Sequence, residues 1–227
     1  MQTAVLFSGG LDSAVLLAEE AARADAGLVQ PIYLSVGLAW EAAERAMADR
    51  LLAAPPLSGR TRPLVSLTVD MRDVYSPAHW AIKGMPPAYN TRDEEVYLPG
   101  RNVILLGKAG VFCAAAGIGR LVLGTLAHNP FPDATPAFLA QMAGALSLGL
   151  DHDMQIDAPL AAKSKAEVVR SGLVLGVPFE LTLSCMSPVR EGIHCGTCSK
   201  CRERHDAFVE AGAVDPTIYA DRRFVGA

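Results

Sequence analysis

The chain has 227 residues, of which 51% are hydrophobic and 19% charged, so its composition excludes intrinsic disorder and allows a sizeable core. The formal net charge is −4, which argues against nucleic acid as a partner and favours a small molecule. No apolar run is long enough to span a membrane, and no basic segment precedes an apolar one at the start, so the sequence predicts a cytoplasmic protein without a secretion signal.

Strand and helix patterns alternate along most of the chain. Short apolar runs predict strands at residues 5–7, 31–36, 64–69, 120–124 and 154–158. After the first run, apolar residues repeat every three or four positions, which predicts a first helix. Further helices are predicted at 40–54, 102–116, 136–150 and 164–175. The last helix carries a capping box, with Ser164 at the N-cap and Glu167 three residues later. This alternation predicts a doubly wound α/β fold with a mainly parallel sheet, which binds ligands at the carboxyl ends of its strands.

Residues 70–100 lose this periodicity and contain several prolines and an acidic cluster. Long irregular segments inside a domain are usually functional, so we predict a lid or a substrate loop, with a solvated excursion as the alternative.

The link between the first strand and the first helix has the sequence Ser8-Gly9-Gly10-Leu11-Asp12-Ser13. Backbone N–H groups at such a junction form an anion cradle, and the glycines let a phosphate approach closely. The motif is neither a Walker loop nor a dinucleotide-binding turn. It predicts a pyrophosphate site, against the alternative of a chance turn.

Four of the five cysteines lie close together, with the spacing C-x9-C-x2-C-x2-C; they are Cys185, Cys195, Cys198 and Cys201. In a reducing compartment this spacing favours a metal over disulfides, and four soft ligands predict a structural zinc site. An iron–sulfur cluster, catalytic thiols and His194 in place of one sulfur are alternatives. The fifth, Cys113, is predicted to be a small buried hydrophobe.

The change in composition near these cysteines predicts two domains: an α/β domain over 1–181 and a small helical metal-binding module over 182–227. The module also carries a basic cluster, which we predict to be solvated rather than bound to phosphate. Its members are Arg190, Lys200, Arg202 and Arg204.

Two further segments complete the set of motifs: Leu98-Pro99-Gly100-Arg101-Asn102 and Lys163-Ser164-Lys165-Ala166-Glu167. Together with residues 8–13 and the cysteines, they resemble the 7-cyano-7-deazaguanine synthase family of the PP-loop ATP pyrophosphatase superfamily over nearly the whole length. The resemblance implies an adenine nucleotide alpha hydrolase-like fold, commonly in a homodimer with bound zinc. It also implies an ATP-dependent ligase that uses Mg²⁺ and ammonia to convert the small-molecule carboxylate 7-carboxy-7-deazaguanine to its nitrile, a queuosine precursor.

Activating a carboxylate brings negative charges together, so cations must lie near them. Arg101, Lys163 and Lys165 are candidate sources. The motif match implies that residues 8–13 hold ATP, that Asp12 assists through Mg²⁺, and that Arg101 and Lys165 stabilise the oxyanion. A helix-capping Arg101 and a solvated Lys165 are the alternatives.

The chain departs from the family pattern at two places, residues 36–40 and 128–135. The first lacks the usual Gln and basic side chains, and the second keeps only a Pro-Asp core. His128 and Asp133 there are candidates to contact substrate or Mg²⁺. Since such segments line the base pocket, a changed substrate is an alternative. The changed substrate would be another carboxylate or a nucleobase carbonyl, and the latter includes enzymes that insert sulfur into tRNA. A nucleotide-binding module without turnover is a further alternative.

Overall fold

The computed structural model describes residues 1–23, 28–190 and 192–224. A five-stranded sheet in the order β3-β2-β1-β4-β5 forms its centre, and every neighbouring pair is parallel. The strands are β1 (Thr3–Leu6), β2 (Gln30–Ser35), β3 (Val65–Thr68), β4 (Arg120–Val122) and β5 (Gln155–Asp157). The strand order reverses beside β1, where doubly wound sheets bind ligands. The predicted α/β class is confirmed.

Seven α-helices accompany the sheet in the described residues: α1 (Leu11–Ala22), α2 (Glu41–Ala53), α3 (Trp80–Lys83), α4 (Arg101–Ala115), α5 (Pro136–Leu150), α6 (Lys165–Leu175) and α7 (Ser199–Ala211). The predicted capping box is present at the start of α6, where Ser164 and Glu167 exchange hydrogen bonds. Two short strands, β6 (Ile193–His194) and β7 (Ile218–Tyr219), form a separate parallel pair that the sequence did not predict. None of the described helices combines the length and apolarity needed to cross a bilayer.

The main core joins the sheet to both early and late helices. Val5 lies in β1, and Phe7 follows directly after this strand. Both pack with Val15 of α1 and with Phe208 of α7 in one buried cluster. Because β1 is central in a parallel sheet, both of its faces are covered and it appears in the sequence as a continuous apolar run. The C-terminal helix α7 therefore shares its core with the α/β sheet. Cys113 on α4 is fully buried, as predicted.

The irregular segment 70–100 packs against the cysteine-rich end of the chain. Tyr75 and Leu98 are buried in the same cluster as Cys198 and Cys201. Arg202 on α7 donates hydrogen bonds at 3.0 Å to the carbonyl oxygens of Tyr89 and Thr91. Tertiary contacts, rather than a regular period, therefore order this segment.

Candidate active site

The loop after β1 is preformed by its own hydrogen bonds. Gly10 N–H donates to Ser8 Oγ at 3.2 Å, and Ser13 Oγ donates to the Gly10 carbonyl at 3.1 Å. Gly9 has φ +76°, and a Cβ there would lie 3.1 Å from the Cβ of Ala48 on α2. The Gly9 carbonyl accepts a hydrogen bond from Leu183 N–H at 2.9 Å. A side chain at position 9 would therefore push the loop away from α2.

This loop delivers the N-terminus of α1 to a cavity of about 280 Å³ at the carboxyl ends of β1, β2 and β4. Ser8, Gly10, Asp12 and Ser13 line the cavity, whereas the Leu11 side chain is buried in the core. N–H groups in the first turn of a helix have no intrahelical acceptor, and Gly10 offers no side chain to cap them. The arrangement can therefore hold an anion with backbone amides.

Lys165 joins this loop to the C-terminal helix. Its Nζ lies 2.8 Å from Asp12 Oδ2 and 2.6 Å from Oε1 of Glu203 on α7. Burial lowers the pKa of Lys165, but the two carboxylates outweigh this effect, so the pKa is raised and the amine stays charged. The sequence did not point to Glu203, whose carboxylate also pairs with Lys200. Lys163 points elsewhere and pairs with Glu19 at 2.6 Å.

One carboxylate oxygen of Asp12 is available to a ligand. Its Oδ1 is buried without a hydrogen-bond partner among the described residues, while Oδ2 contacts Lys165. A free carboxylate oxygen beside an anion cradle is a ligand type that Mg²⁺ prefers. The residues therefore fit a magnesium ion carried with a nucleotide.

Arg101 reaches the same cavity from the start of α4. Its Nε is buried without a hydrogen-bond partner, and no ion pair to it is found within residues 1–23, 28–190 and 192–224. Lys165 does not line the cavity, so it reaches the loop through its contact with Asp12, whereas Arg101 lines the cavity itself.

The Pro-Asp core of residues 128–135 has a structural role. Asp133 is 5% exposed, and its carboxylate accepts hydrogen bonds from Asn102 N–H at 3.0 Å and Nδ2 at 3.4 Å. The start of α4 therefore uses the oxygens that we expected to meet substrate or Mg²⁺. Asn129 and Phe131, rather than His128, line the cavity.

Two glutamates of α2 were missed from the sequence. Glu41 and Glu44 line the cavity, and Glu44 Oε2 accepts a hydrogen bond from the Tyr33 hydroxyl at 3.2 Å. Burial raises the pKa of Glu44 to about 7, with Arg101 opposing the rise and Glu41 adding to it. Their i,i+3 spacing places both on one helix face, a signal hidden among the alanines of α2.

We expect Glu44→Gln to stabilise the ligand-free protein at pH 8. The folded-state pKa of Glu44 is raised from its ordinary value of 4.5 to about 7. The wild-type protein therefore loses stability as pH rises from 4.5 to about 7, because Glu44 ionises less readily in the folded state than in the unfolded chain. The gain from glutamine should be about 1–3 kcal/mol at pH 8 and near zero at pH 5. Urea unfolding at both pH values measures it, with the exposed Asp49→Asn as control. A less stable variant at pH 8 would contradict the expectation.

The four clustered cysteines converge on one point. Their sulfurs all lie within 4.8 Å of one another, and Sγ of Cys201 is 3.8 Å from that of Cys195 and 3.5 Å from that of Cys198. Tetrahedral ligation at a Zn–S distance of about 2.3 Å requires sulfurs about 3.8 Å apart. A multi-iron cluster would bind each thiolate at a different iron and would need more space. The sulfurs therefore fit a single tetrahedral ion.

Backbone geometry supports this cysteine cluster. Cys185 Sγ accepts from Cys195 N–H at 3.2 Å, and Cys201 Sγ accepts from Gly196 N–H at 3.4 Å. Gly196 has φ +81°, and a Cβ there would lie 1.8 Å from the Asp221 carbonyl oxygen. His194 uses Nε2 to accept from Ser184 N–H at 3.1 Å. The alternative in which His194 replaces a sulfur is therefore not favoured.

The prediction of a solvated basic cluster is wrong for Arg204. This side chain is fully buried and donates to Thr182 Oγ1 at 2.7 Å, to the Phe179 carbonyl at 2.8 Å and to Thr217 Oγ1 at 2.5 Å. Asp215 lies 3.8 Å from its Nε. A buried guanidinium needs such partners, and here they come from residues 179–182 and 215–217, one segment on each side of α7 in the sequence.

Comparison with known proteins agrees with these features. Residues 2–212 match the family model described as "Queuosine biosynthesis protein QueC". The chain is 37% identical over 225 residues to the 7-cyano-7-deazaguanine synthase of Anaeromyxobacter dehalogenans, covering 95% of this chain and 94% of that relative. It is 34% identical to the protein of the same name from Azoarcus sp. strain BH72, covering 96% of each.

Among solved structures, a protein described as a "predicted subunit of tRNA methyltransferase" from Methanocaldococcus jannaschii matches with a TM-score of 0.50 and 15% identity. The match covers 98% of this chain and 94% of that one, and it shows the fold alone. The sequence relatives are more informative, because they span nearly the whole chain at more than 30% identity. The chain is therefore an enzyme that belongs to the QueC family of queuosine biosynthesis proteins.

Proposed function

We propose that this enzyme is an ATP-dependent ligase that converts 7-carboxy-7-deazaguanine to 7-cyano-7-deazaguanine with ammonia as nitrogen donor. The observation that carries the proposal is the preformed loop 8–13, which places the first-turn amides of α1 and the Asp12 carboxylate beside a cavity that Arg101 also lines. Family membership supports the choice of substrate.

The reaction balances in two rounds of activation. A carboxylate oxygen attacks the α-phosphorus of ATP and pyrophosphate leaves; ammonia then displaces AMP and loses a proton to give the amide. The amide oxygen attacks a second ATP, again releasing pyrophosphate, and departure of AMP with loss of the amide protons leaves the nitrile. In this scheme the loop amides hold phosphate oxygens, and Lys165 and Arg101 offset the charge near the reacting oxygens. Magnesium held at Asp12 Oδ1 would supply further charge neutralisation.

Product analysis tests this function. With Mg-ATP, ammonium and 7-carboxy-7-deazaguanine, we expect two AMP and two pyrophosphate per nitrile, identified by mass. Pyrophosphate release with another carboxylate but not with this one would favour the changed-substrate alternative, as would a response to added tRNA. Nucleotide binding without release in any mixture would favour a binding module.

We also propose that Cys185, Cys195, Cys198 and Cys201 hold a structural zinc ion. Metal analysis should find about one zinc and no iron per chain, without visible absorption. Cys198→Ser should lose zinc and lower the free energy of unfolding, because the remaining thiolates would no longer share a cation. The buried Cys113→Ser is the control that keeps zinc. Stoichiometric iron with visible absorption would refute the zinc proposal.

Three further proposals rest on the family resemblance and on composition. They are the division into 1–181 and 182–227, in which the second part packs on the first through α7, assembly as a homodimer, and action in the cytoplasm. Light scattering of the purified protein tests the dimer, and expression of residues 1–181 alone tests the division.

A further inference from the structure

One carboxylate and one cation face the active-site cavity without pairing with each other. Glu44 of α2 and Arg101 of α4 both line it, yet they form no ion pair within 4.0 Å, as judged over the described residues. Arg101 Nε is buried and lacks a hydrogen-bond partner there. Two opposite charges held apart in one cavity suit a ligand that presents an acceptor to one and a donor to the other.

The two glutamates of α2 differ in what they still offer. Glu41 is occupied by the end of β2: it accepts from Ser35 Oγ at 2.5 Å, from Val36 N–H at 2.8 Å and from Gly37 N–H at 3.2 Å. Glu44 accepts from the Tyr33 hydroxyl at 3.2 Å through Oε2. A carboxylate can accept about four hydrogen bonds, and the Trp40 side chain also donates towards Glu44, so about half of its capacity is open to a ligand.

The neighbouring segment makes this acceptor important. Leu38 and Trp40, which precede α2, are buried in an apolar cluster and do not line the cavity. Their side chains provide no acceptor for a polar base edge. Of the two α2 carboxylates that line the cavity, Glu44 accepts fewer hydrogen bonds than Glu41, so an N–H donor that enters beside α2 would meet Glu44, since an unpartnered buried donor is costly.

We propose that Glu44 is a specificity-determining residue that accepts hydrogen bonds from the N–H edge of the substrate base while Arg101 faces its acid group. The ligand class is a planar heterocycle with adjacent ring N–H and amino donors at one end and a carboxylate at the other. This inference rests on the proposed function, because 7-carboxy-7-deazaguanine has both features. Ser8, Gly10 and Ser13 line the same cavity, so an acid group near Arg101 lies in the cavity that the loop amides serve.

The test compares two ligands and two variants. Calorimetry measures binding of 7-carboxy-7-deazaguanine and of its analogue lacking the 2-amino group to the wild type, Glu44→Gln and Asp49→Asn. Asp49 lies on the same helix, is exposed and pairs with Arg45. The wild type and Asp49→Asn should prefer the aminated ligand about 10- to 100-fold, and Glu44→Gln should lose that preference. KM for ATP and for ammonium should change less than about twofold.

The possible results separate this inference from the proposed function. If the wild type neither binds nor converts 7-carboxy-7-deazaguanine, the proposed function and the role of Glu44 are both refuted. If conversion is normal but Glu44→Gln keeps the preference for the amino group, only the specificity role of Glu44 is refuted. A rise in KM for ATP or ammonium without a change for the base would also overturn it, because Glu44 would then face the nucleotide or the nitrogen donor.

Discussion

Replacing Lys165 with methionine should lower the rate of AMP formation by about 100- to 1,000-fold, as expected for the loss of one preorganised charge from an active site. The Lys165 amine lies 2.8 Å from Asp12 in the proposed phosphate-binding loop. Without it, Asp12 and Glu203 would lose their shared cation, and the proposed phosphate-binding loop would lose the positive charge beside Asp12. Steady-state assays of AMP release under saturating ATP measure the effect.

Lys163→Met is the matched control, because Lys163 is two residues away and pairs with Glu19 instead of the loop. It should keep kcat within about twofold. Lys165→Arg should recover part of the rate, since it restores a charge but not the compact ammonium. A folded Lys165→Met protein with a near-normal kcat would remove Lys165 from the mechanism.

Replacing Arg204 with methionine should lower the free energy of unfolding by about 3–5 kcal/mol, the range for breaking a buried charged network. The guanidinium is fully buried and ties Thr182 and Phe179 to Thr217. Methionine fills part of the volume but leaves these acceptors unpaired. Urea denaturation with an unchanged m value measures the loss.

Arg222→Met is the control for this change, because Arg222 is exposed in the same region and should shift stability by less than about 0.5 kcal/mol. Zinc content measured on the folded proteins separates loss of packing from loss of metal. A cost below about 1 kcal/mol for Arg204→Met would mean that the buried network does not hold the C-terminal region in place.

Local patterns were enough for the architecture and for the identity of the main motifs. Apolar period and turn chemistry act between neighbouring residues, so they predicted the parallel α/β class and most element positions. The capping box at Ser164 and the spacing of the four cysteines are equally local. The motif order along the chain was also sufficient for the family.

Contacts between distant segments were decided by the tertiary structure alone. Asp12 and Lys165 are 153 positions apart and meet only because α1 and α6 pack together. Arg204 looked like a surface residue because charge patterning does not show burial, which depends on partners from two other segments, residues 179–182 and 215–217. Glu44 became a cavity residue because the parallel sheet brings the ends of β1, β2 and β4 to one edge, a consequence of strand order that no local pattern encodes.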